Sequence, residues 1–186
     1  MISNVKDFGV KVTRISPTEK GVMLTGYKTT EEKVKSIFLS VFVTIEQASD
    51  ISVDIGDTIS VSGELDYSIN RYNNANTPRY IVWAKSIEKV DENSTTNDYI
   101  TVGLIVDSVT HSTTGSMYKC LMSSTRVSDK PLDIIVQTTG ATNITGDKSN
   151  NIALIKGKFA CKENFAGQLI LFITADKFTY LNPFSF

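Results

Sequence analysis

Two phenylalanines interrupt a small, polar strand face in the first half of the chain. Residues 35–45 alternate strictly, and one face is aliphatic, formed by Ile37, Leu39, Val41, Val43 and Ile45. The other face carries Phe38 and Phe42 among serine and threonine. Bases stack on such rings at roughly 1–3 kcal/mol each, and rings four residues apart on a strand are about 13–14 Å apart, so they suit non-adjacent bases. Alternatively, a second domain, a partner subunit or a loop covers both rings.

A second group of aromatic and basic residues follows in a polar stretch, 68–78, which we interpret as a long loop. Arg71 and Tyr72 lie among its asparagines, and Arg79, Tyr80 and Trp83 follow on a strand. Trp83 is either a core residue or a stacking residue. Cations that neutralise phosphates, next to rings that stack bases, favour an unpaired nucleic-acid strand as the ligand. Further candidates flank the phenylalanine face: Tyr27, Lys28 and Lys35.

The sequence argues against catalysis and against metal or cofactor binding. The single histidine, His111, lies in a Thr-His-Ser-Thr-Thr-Gly stretch that is typical of surface turns. Cys120 and Cys161 have no metal-ligand spacing and are interpreted as buried, reduced thiols. No Walker A or dinucleotide-binding glycine motif follows a strand. We therefore expect a binding module rather than an enzyme, without cofactor.

Composition fits an ordinary globular protein of 186 residues, with 19 basic and 20 acidic side chains and a net charge of −1. A nucleic-acid site would then depend on local basic patches, since no overall positive field steers the ligand. The sequence shows no signal peptide and no apolar run near the ~18 residues of a membrane span. These features predict an intracellular, cytoplasmic protein that does not contact the membrane.

The periodicity predicts an all-β chain. In the first half we expect strands at 8–16, 22–30 and 35–45, a short helix at 46–51, and strands on either side of the 68–78 loop. Gly63 interrupts the fourth strand and indicates a bulge or a barrel corner. Residues 91–97 are acidic and polar, and we interpret them as a linker.

The second half repeats features of the first. Asp98-Tyr99 corresponds to Asp7-Phe8, Gly157 to Gly63, and Ala175 to Ala84. Strands are expected at 99–109, 116–123, 132–138, 152–161 and 168–178, with 143–151 forming a loop or a short helix. Its third strand has no outward aromatic residue and carries Asp133, which would repel phosphate. The candidate contacts that remain there are Lys156, Lys158 and Phe165.

Residues 61–87 resemble a known family. The pattern Val61-x-Gly63-x-Leu65, the basic and aromatic loop, Arg79-Tyr80 and Ala84-x-x-Ile87 are similar to strands 4 and 5 of bacterial and phage single-stranded DNA-binding proteins. The resemblance implies the OB fold, a five-stranded Greek-key barrel, a DNA-gripping loop between strands 4 and 5, and assembly into homo-oligomers. The family's loop tryptophan has no counterpart here. The chain closes with Leu181-Asn-Pro-Phe-Ser-Phe186 instead of an acidic tail, so tail-mediated recruitment of replication proteins is not implied.

These observations together predict two tandem OB-fold barrels with short connecting helices, at 1–90 and 98–186. The predicted function is binding and protection of single-stranded DNA without sequence preference, with RNA left open as a ligand. The resemblance implies a role in replication, recombination or conjugative transfer, in a prokaryotic cell or an infected host, and leaves replication or recombination proteins open as partners. The alternatives are an OB-fold protein-interaction module and a structural virion β-protein.

Overall fold

The computed structural model describes residues 2–28, 37–70, 77–91, 94, 96–124, 130–163 and 169–182. The chain divides into two compact units, Asn4–Asp98 and Tyr99–Phe186 with Met1–Ser3. We call them the first and the second unit. No helix among the described residues is both long and apolar enough to cross a membrane.

The first unit contains β1 (Ser3–Thr18, of which Ser3 counts with the second unit), β2 (Gly21–Lys28), β3 (Ile37–Thr44), α1 (Ile45–Asp50), β4 (Thr58–Asn70) and β5 (Thr77–Val90). β1 pairs with β2, β2 with β3, β3 with β5, β5 with β4, and β4 returns to β1. Only the β3–β5 pairing in this ring is parallel. The ring is a closed five-stranded barrel, consistent with the predicted OB fold.

The barrel core is formed by the inward side of each strand. Leu39, Val41 and Val43 are buried, as the alternation in 35–45 predicts. The expectation for Ile45 was wrong: it begins α1 and is 64% exposed. Thr44 ends the strand because its side chain caps the helix, accepting a hydrogen bond from the Gln47 amide, while Gln47 accepts one from the Thr44 amide.

The predicted loop at 68–78 was too long. β4 and β5 remain paired out to Asn70 and Thr77, which leaves 71–76 outside the described residues. The predicted bulge at Gly63 is confirmed, since the register shifts between Ser62 and Gly63. A Cβ on Gly63 would collide with the Trp83 carbonyl oxygen, so the close approach of β4 and β5 requires glycine.

The second unit contains β6 (Tyr99–Ser112), β7 (Gly115–Met122), β8 (Leu132–Thr139), β9 (Asn143–Thr145), β10 (Ile152–Glu163) and β11 (Leu169–Tyr180). β6 pairs with β7, β7 with β8, β8 in parallel with β11, β11 with β10, and β10 with β6. The loop or helix expected at 143–151 was wrong in part, because β9 pairs in parallel with β11.

Matching irregularities occur in the two units. The bulge before Gly157 corresponds to the one before Gly63, and Gly157 pairs with Ala175 as Gly63 pairs with Ala84. A Cβ on Gly157 would meet the Thr174 carbonyl oxygen. An aspartate with positive φ also occurs at each first strand: Asp7 lies within β1 at 51°, and Asp98 directly precedes β6 at 50°.

The end of the predicted linker is attached to the first unit. The Asn97 amide and side chain both donate hydrogen bonds to the Asp7 carboxylate, at 3.0 and 2.6 Å. The Asp98 amide donates to the Asp7 carbonyl at 2.9 Å, and the Gly9 amide donates to the Asp98 carboxylate at 3.1 Å. Polar residues without an apolar anchor are therefore held by hydrogen bonds to β1.

Candidate nucleic-acid interface

One outer face of the first barrel runs without interruption across β1, β2, β3 and β5. Arg14 pairs with Thr25, Thr25 with Ser40, and Ser40 with Ile81. Because neighbouring strands are about 4.8 Å apart, this row is roughly 14 Å wide. Arg14 is exposed, and Thr25, Ser40 and Ile81 are half-buried. The row therefore presents one cation, two hydroxyl groups and one aliphatic side chain at the surface.

An adjacent row supplies two aromatic rings. Met23 pairs with Phe42, Phe42 with Trp83, and Trp83 with Glu64. The Phe42 and Trp83 rings are 5.2 Å apart between centroids and tilted by 53°, and both side chains are half-buried. The edges and faces that stay accessible are flat and apolar, which is the surface that an unpaired base requires.

A highly exposed ring lies on the other side of the Arg14 row. Phe38 is 66% exposed and pairs with Tyr27, whose ring is 6.4 Å away in an edge-to-face arrangement. The alternative for the phenylalanine face was that another part of the protein covers both rings. The described residues cover Phe42 in part and leave Phe38 exposed. The face carries four aromatic side chains from three strands: Tyr27, Phe38, Phe42 and Trp83.

A groove of about 310 Å³ lies in the middle of this face. Arg14 and Arg79 both line it, and Ser16, Thr25, Ser40 and Ser68 supply hydroxyl groups. Arg79 is exposed and pairs with Ser68 across β5 and β4. Guanidinium and hydroxyl groups donate to phosphate oxygens, so the groove is chemically suited to a phosphodiester backbone between flanking rings.

Two predicted contacts point into the barrel instead. Lys28 is 3% exposed, and its ammonium group forms an ion pair with Asp98 and lies 4.8 Å from the Phe8 ring centroid. Tyr80 is 4% exposed and belongs to the core. Side chains alternate along a strand, so Tyr27 and Arg79 face outward and their neighbours Lys28 and Tyr80 face inward. The prediction of Lys28 and Tyr80 as ligand contacts is corrected accordingly.

Four predicted contacts lie outside the described residues: Lys35, Arg71, Tyr72 and Phe165. Their roles stay predictions. Arg71 and Tyr72 belong to the connection between Asn70 and Thr77. The pairing of β4 with β5 ends at these two residues, two positions beyond the Ser68–Arg79 pair.

The second unit presents lysines on its β10–β11 surface. Lys156 and Lys158 are exposed, and the bulge between Lys156 and Gly157 lies beside them. Lys156 pairs with Lys177 on β11, and Lys158 pairs with Tyr99 on β6. Burial, aided by a hydrogen bond to Asp176, raises the pKa of the Tyr99 hydroxyl, so this phenol stays neutral beside Lys158 at physiological pH.

The β7–β8 surface of the second unit has a different charge pattern. Lys119 lies 3.7 Å from the Asp107 carboxylate and 3.8 Å from that of Asp133. All three side chains are about half exposed or more. Two carboxylates around one ammonium give this surface a local excess of negative charge, and the repulsion of phosphate by Asp133 stays a prediction.

Arg14, Met23 and Ile81 were missed by sequence reasoning. Simple alternation from Val10 and Val12 places Arg14 on the core side. A bulge between Val12 and Arg14 reverses this, so that Arg14 and Ser16 face outward while Ile15 lines the inner side. The available signal was the odd spacing between the apolar residues Val12 and Ile15.

The described residues contain no group of three histidine, cysteine or acidic side chains that could hold a metal ion. His111 is exposed and lies 2.8 Å from the Ser116 hydroxyl. Cys120 is buried, and its desolvation raises the pKa of the thiol to about 12, so it is an unreactive core residue as expected. The Cys161 side chain lies outside the described residues.

Two solved structures resemble the chain over nearly its whole length. A deletion variant of the single-stranded DNA-binding protein from Thermus aquaticus has a TM-score of 0.57 and 13% identity, covering 98% of this chain and 94% of its own. The wild-type protein from the same organism has a TM-score of 0.54 and 10% identity, with coverage of 97% and 91%. No protein-family model and no curated protein sequence matches the chain. At these identities the likeness establishes a shared fold.

Proposed function

We propose that the chain is a tandem of two OB folds and that it binds single-stranded DNA without sequence preference. The equivalent pairing orders, the equivalent bulges at Gly63 and Gly157, and a fold likeness that covers both units support the tandem arrangement. The outer face of β2, β3 and β5 in the first unit supports nucleic-acid binding, since strands 2 and 3 of OB folds commonly carry such ligands.

One observation carries the proposal: an exposed phenylalanine shares a continuous sheet face with a groove lined by two arginines. Phe38 offers a free ring, and Arg14 and Arg79 converge on the groove from β1 and β5. A purely structural sheet face has no need for this combination. A base stacked on Phe38 would place its phosphate near the groove, and a non-adjacent base further along the strand would reach the Phe42–Trp83 pair.

Binding is an equilibrium process in this mechanism and requires no bond making. Stacking on the rings supplies affinity that is independent of sequence, because every base has a π face. Contacts to phosphate release counterions, so affinity falls as salt rises. Glu64 lies next to Trp83 in the sheet, and its negative charge would repel phosphate there. Phosphate is therefore expected beside Arg14 and Arg79 rather than beside the indole.

The second unit has a lesser role in this proposal. Its exposed Lys156, Lys158 and Lys177 contribute phosphate contacts of their own, whereas the Asp107–Lys119–Asp133 surface does not bind DNA. That surface is available for self-association or for a protein partner. Coating of unpaired strands suits replication, recombination or conjugative transfer in the cytoplasm of a prokaryotic cell or an infected host.

Titration with oligo-dT tests the proposal, with emission of the single tryptophan, Trp83, as the signal. We expect quenching on binding and a steep loss of affinity between low and physiological salt. Oligo-dA and oligo-dC should bind with affinity similar to that of oligo-dT. Oligo-U shows whether the protein distinguishes RNA from DNA through the 2′-hydroxyl. Absence of binding at low salt would reject the proposal in favour of a protein-interaction module or a structural β-protein.

A further inference from the structure

An apolar cavity of about 140 Å³ opens beneath α1 at one end of the first barrel. Its walls are almost entirely aliphatic and include Val22, Leu24, Val43, Ile51 and Ile87. An enclosed cavity of about 150 Å³ with such a lining stays dry and accepts a benzene-sized group. This space therefore matches one leucine or phenylalanine side chain.

The cavity exists because α1 is tied to the barrel without filling it. The helix has six residues and contributes no buried side chain. Gln47 holds it in place by donating to the carbonyl oxygens of Ala84 and Lys85 on β5, at 3.4 and 3.0 Å. Ala48 lines the cavity with a single methyl group, where a larger side chain would occupy it.

The segment 44–57, which supplies Gln47, Ala48, Ile51 and Val53 to the cavity lining, carries exposed aliphatic side chains and is acidic. Ile45 on α1 and Ile55 after it are 64% and 66% exposed, which is unusual for large aliphatic residues. The segment 44–57 contains Glu46, Asp50, Asp54 and Asp57 and no lysine or arginine. On β5, Lys89 is held by Asp57 at 2.7 Å, and Lys85 and Glu88 offset each other in charge.

We propose that this cavity is a docking site for a basic peptide segment of a partner protein. One leucine or aromatic side chain of that segment enters the cavity, its apolar flanks cover Ile45 and Ile55, and its lysine or arginine residues face Glu46, Asp50 and Asp54. Charge complementarity decides this occupant, because an acidic segment or a bare hydrocarbon would leave those carboxylates without a counter-charge.

The site is separate from the proposed DNA-binding face. Ile15 and Leu24 point to the cavity, whereas Arg14, Ser16, Met23 and Thr25, their immediate neighbours in the chain, line the groove on the opposite side of the same strands. A partner can therefore occupy the cavity while DNA occupies the groove. The inference does not depend on DNA binding, since the cavity and its rim are independent of Phe38 and both arginines.

Three nine-residue peptides test the proposal against the full-length, ¹⁵N-labelled chain. The first has a central phenylalanine flanked by two lysines on each side in a glycine and serine background. The second replaces the lysines with glutamates, and the third replaces the phenylalanine with serine. We expect amide shifts at Ala48, Ile51 and Val53 with the first peptide, and an affinity at least about tenfold above that for the other two.

Two variants complete the test. Ala48→Leu fills the cavity and should abolish the shifts from the first peptide. The triple variant Glu46→Lys, Asp50→Lys, Asp54→Lys keeps the cavity and should reverse the preference toward the glutamate peptide, so the test stands even if Ala48→Leu fails to fold. Oligo-dT affinity should stay within about twofold of wild type in folded Ala48→Leu, which leaves the net charge unchanged.

The proposal is overturned by any of three results. These are equal affinity for the lysine and glutamate peptides, no shift around the cavity at millimolar peptide, and an unchanged preference in the triple variant. Competition between the peptide and oligo-dT would refute the separation of the two sites. If oligo-dT fails to bind while the peptide ranking holds, the docking inference stands and the DNA-binding proposal falls.

Discussion

Phe42 and Trp83 lie opposite each other on the parallel strands β3 and β5, with ring centroids 5.2 Å apart. Such a pair contributes about 0.5–1.5 kcal/mol beyond the area it buries. It also holds two rings rigidly in one face although the residues are far apart in the chain. A base that reaches Phe42 consequently perturbs the Trp83 environment, which makes tryptophan emission a direct reporter of the candidate interface.

Phe38→Ala should weaken binding of oligo-dT by about 5- to 150-fold, equivalent to the roughly 1–3 kcal/mol of one stacked base. The free energy of unfolding should stay within about 0.5 kcal/mol of wild type, because the side chain is 66% exposed. Ile55→Ala is a matched control with the same exposure on another surface. A marked loss of stability in Phe38→Ala would show that the ring is a packing residue.

Arg14→Gln and Arg79→Gln should each reduce the slope of log affinity against log salt by about 0.7, the value for one phosphate contact on a single strand. Both arginines line the same groove, so the double variant should lose about twice as much. Lys148→Gln, an exposed residue of the second unit, serves as the control. Slopes that match this control would remove the groove from the binding site.

Lys28→Met should lower the free energy of unfolding by about 2–4 kcal/mol. Removing one partner of a buried ion pair typically costs about 3–5 kcal/mol, and the cost is smaller here because Asp98 is 20% exposed. Methionine keeps the packing on Phe8. Lys28→Met with Asp98→Asn should recover part of the loss, as measured by urea unfolding in a double-mutant cycle. Strictly additive effects would argue against the pair.

The Asp7 carboxyl should make a pH-dependent contribution to the free energy of unfolding. A hydrogen bond from the Ser60 hydroxyl, together with those from Asn97, lowers the pKa of this carboxyl below its ordinary value of 3.8. A lowered pKa in the folded state stabilises the protein above the unfolded-state pKa, and this stabilisation is lost as pH falls through the folded-state pKa.

Asp7→Asn tests this effect and tolerates the positive φ of 51° at the position. The difference in unfolding free energy between wild type and the variant should be largest near neutral pH and shrink as pH falls below about 3.8. Urea unfolding at several pH values provides the measurement. A difference that is constant over the whole range would contradict a role for the ionised carboxylate.

Much of the fold could be predicted from local patterns. Alternation in Leu39, Val41 and Val43 identified a core strand, and an interrupted strand at Gly63 identified the bulge, because both are properties of neighbouring residues. The proposed ligand class also followed from residue types, since Phe38 is a large ring among small polar neighbours. These inferences required only the two-residue period of a strand.

Tertiary structure decided which predicted contacts reach the surface. Lys28 and Tyr80 are of types that commonly contact nucleic acid, yet their positions on the strands place both side chains inside the barrel. There Asp98 neutralises the charge of Lys28. Arg14 reaches the groove because one extra residue, Thr13, shifts its register against β2. A single inserted residue reverses every later side chain in a strand, and only the pairing with the neighbouring strand reveals it. Residue types thus determined which charged and aromatic groups the chain contains, and strand register determined which of these groups face outward.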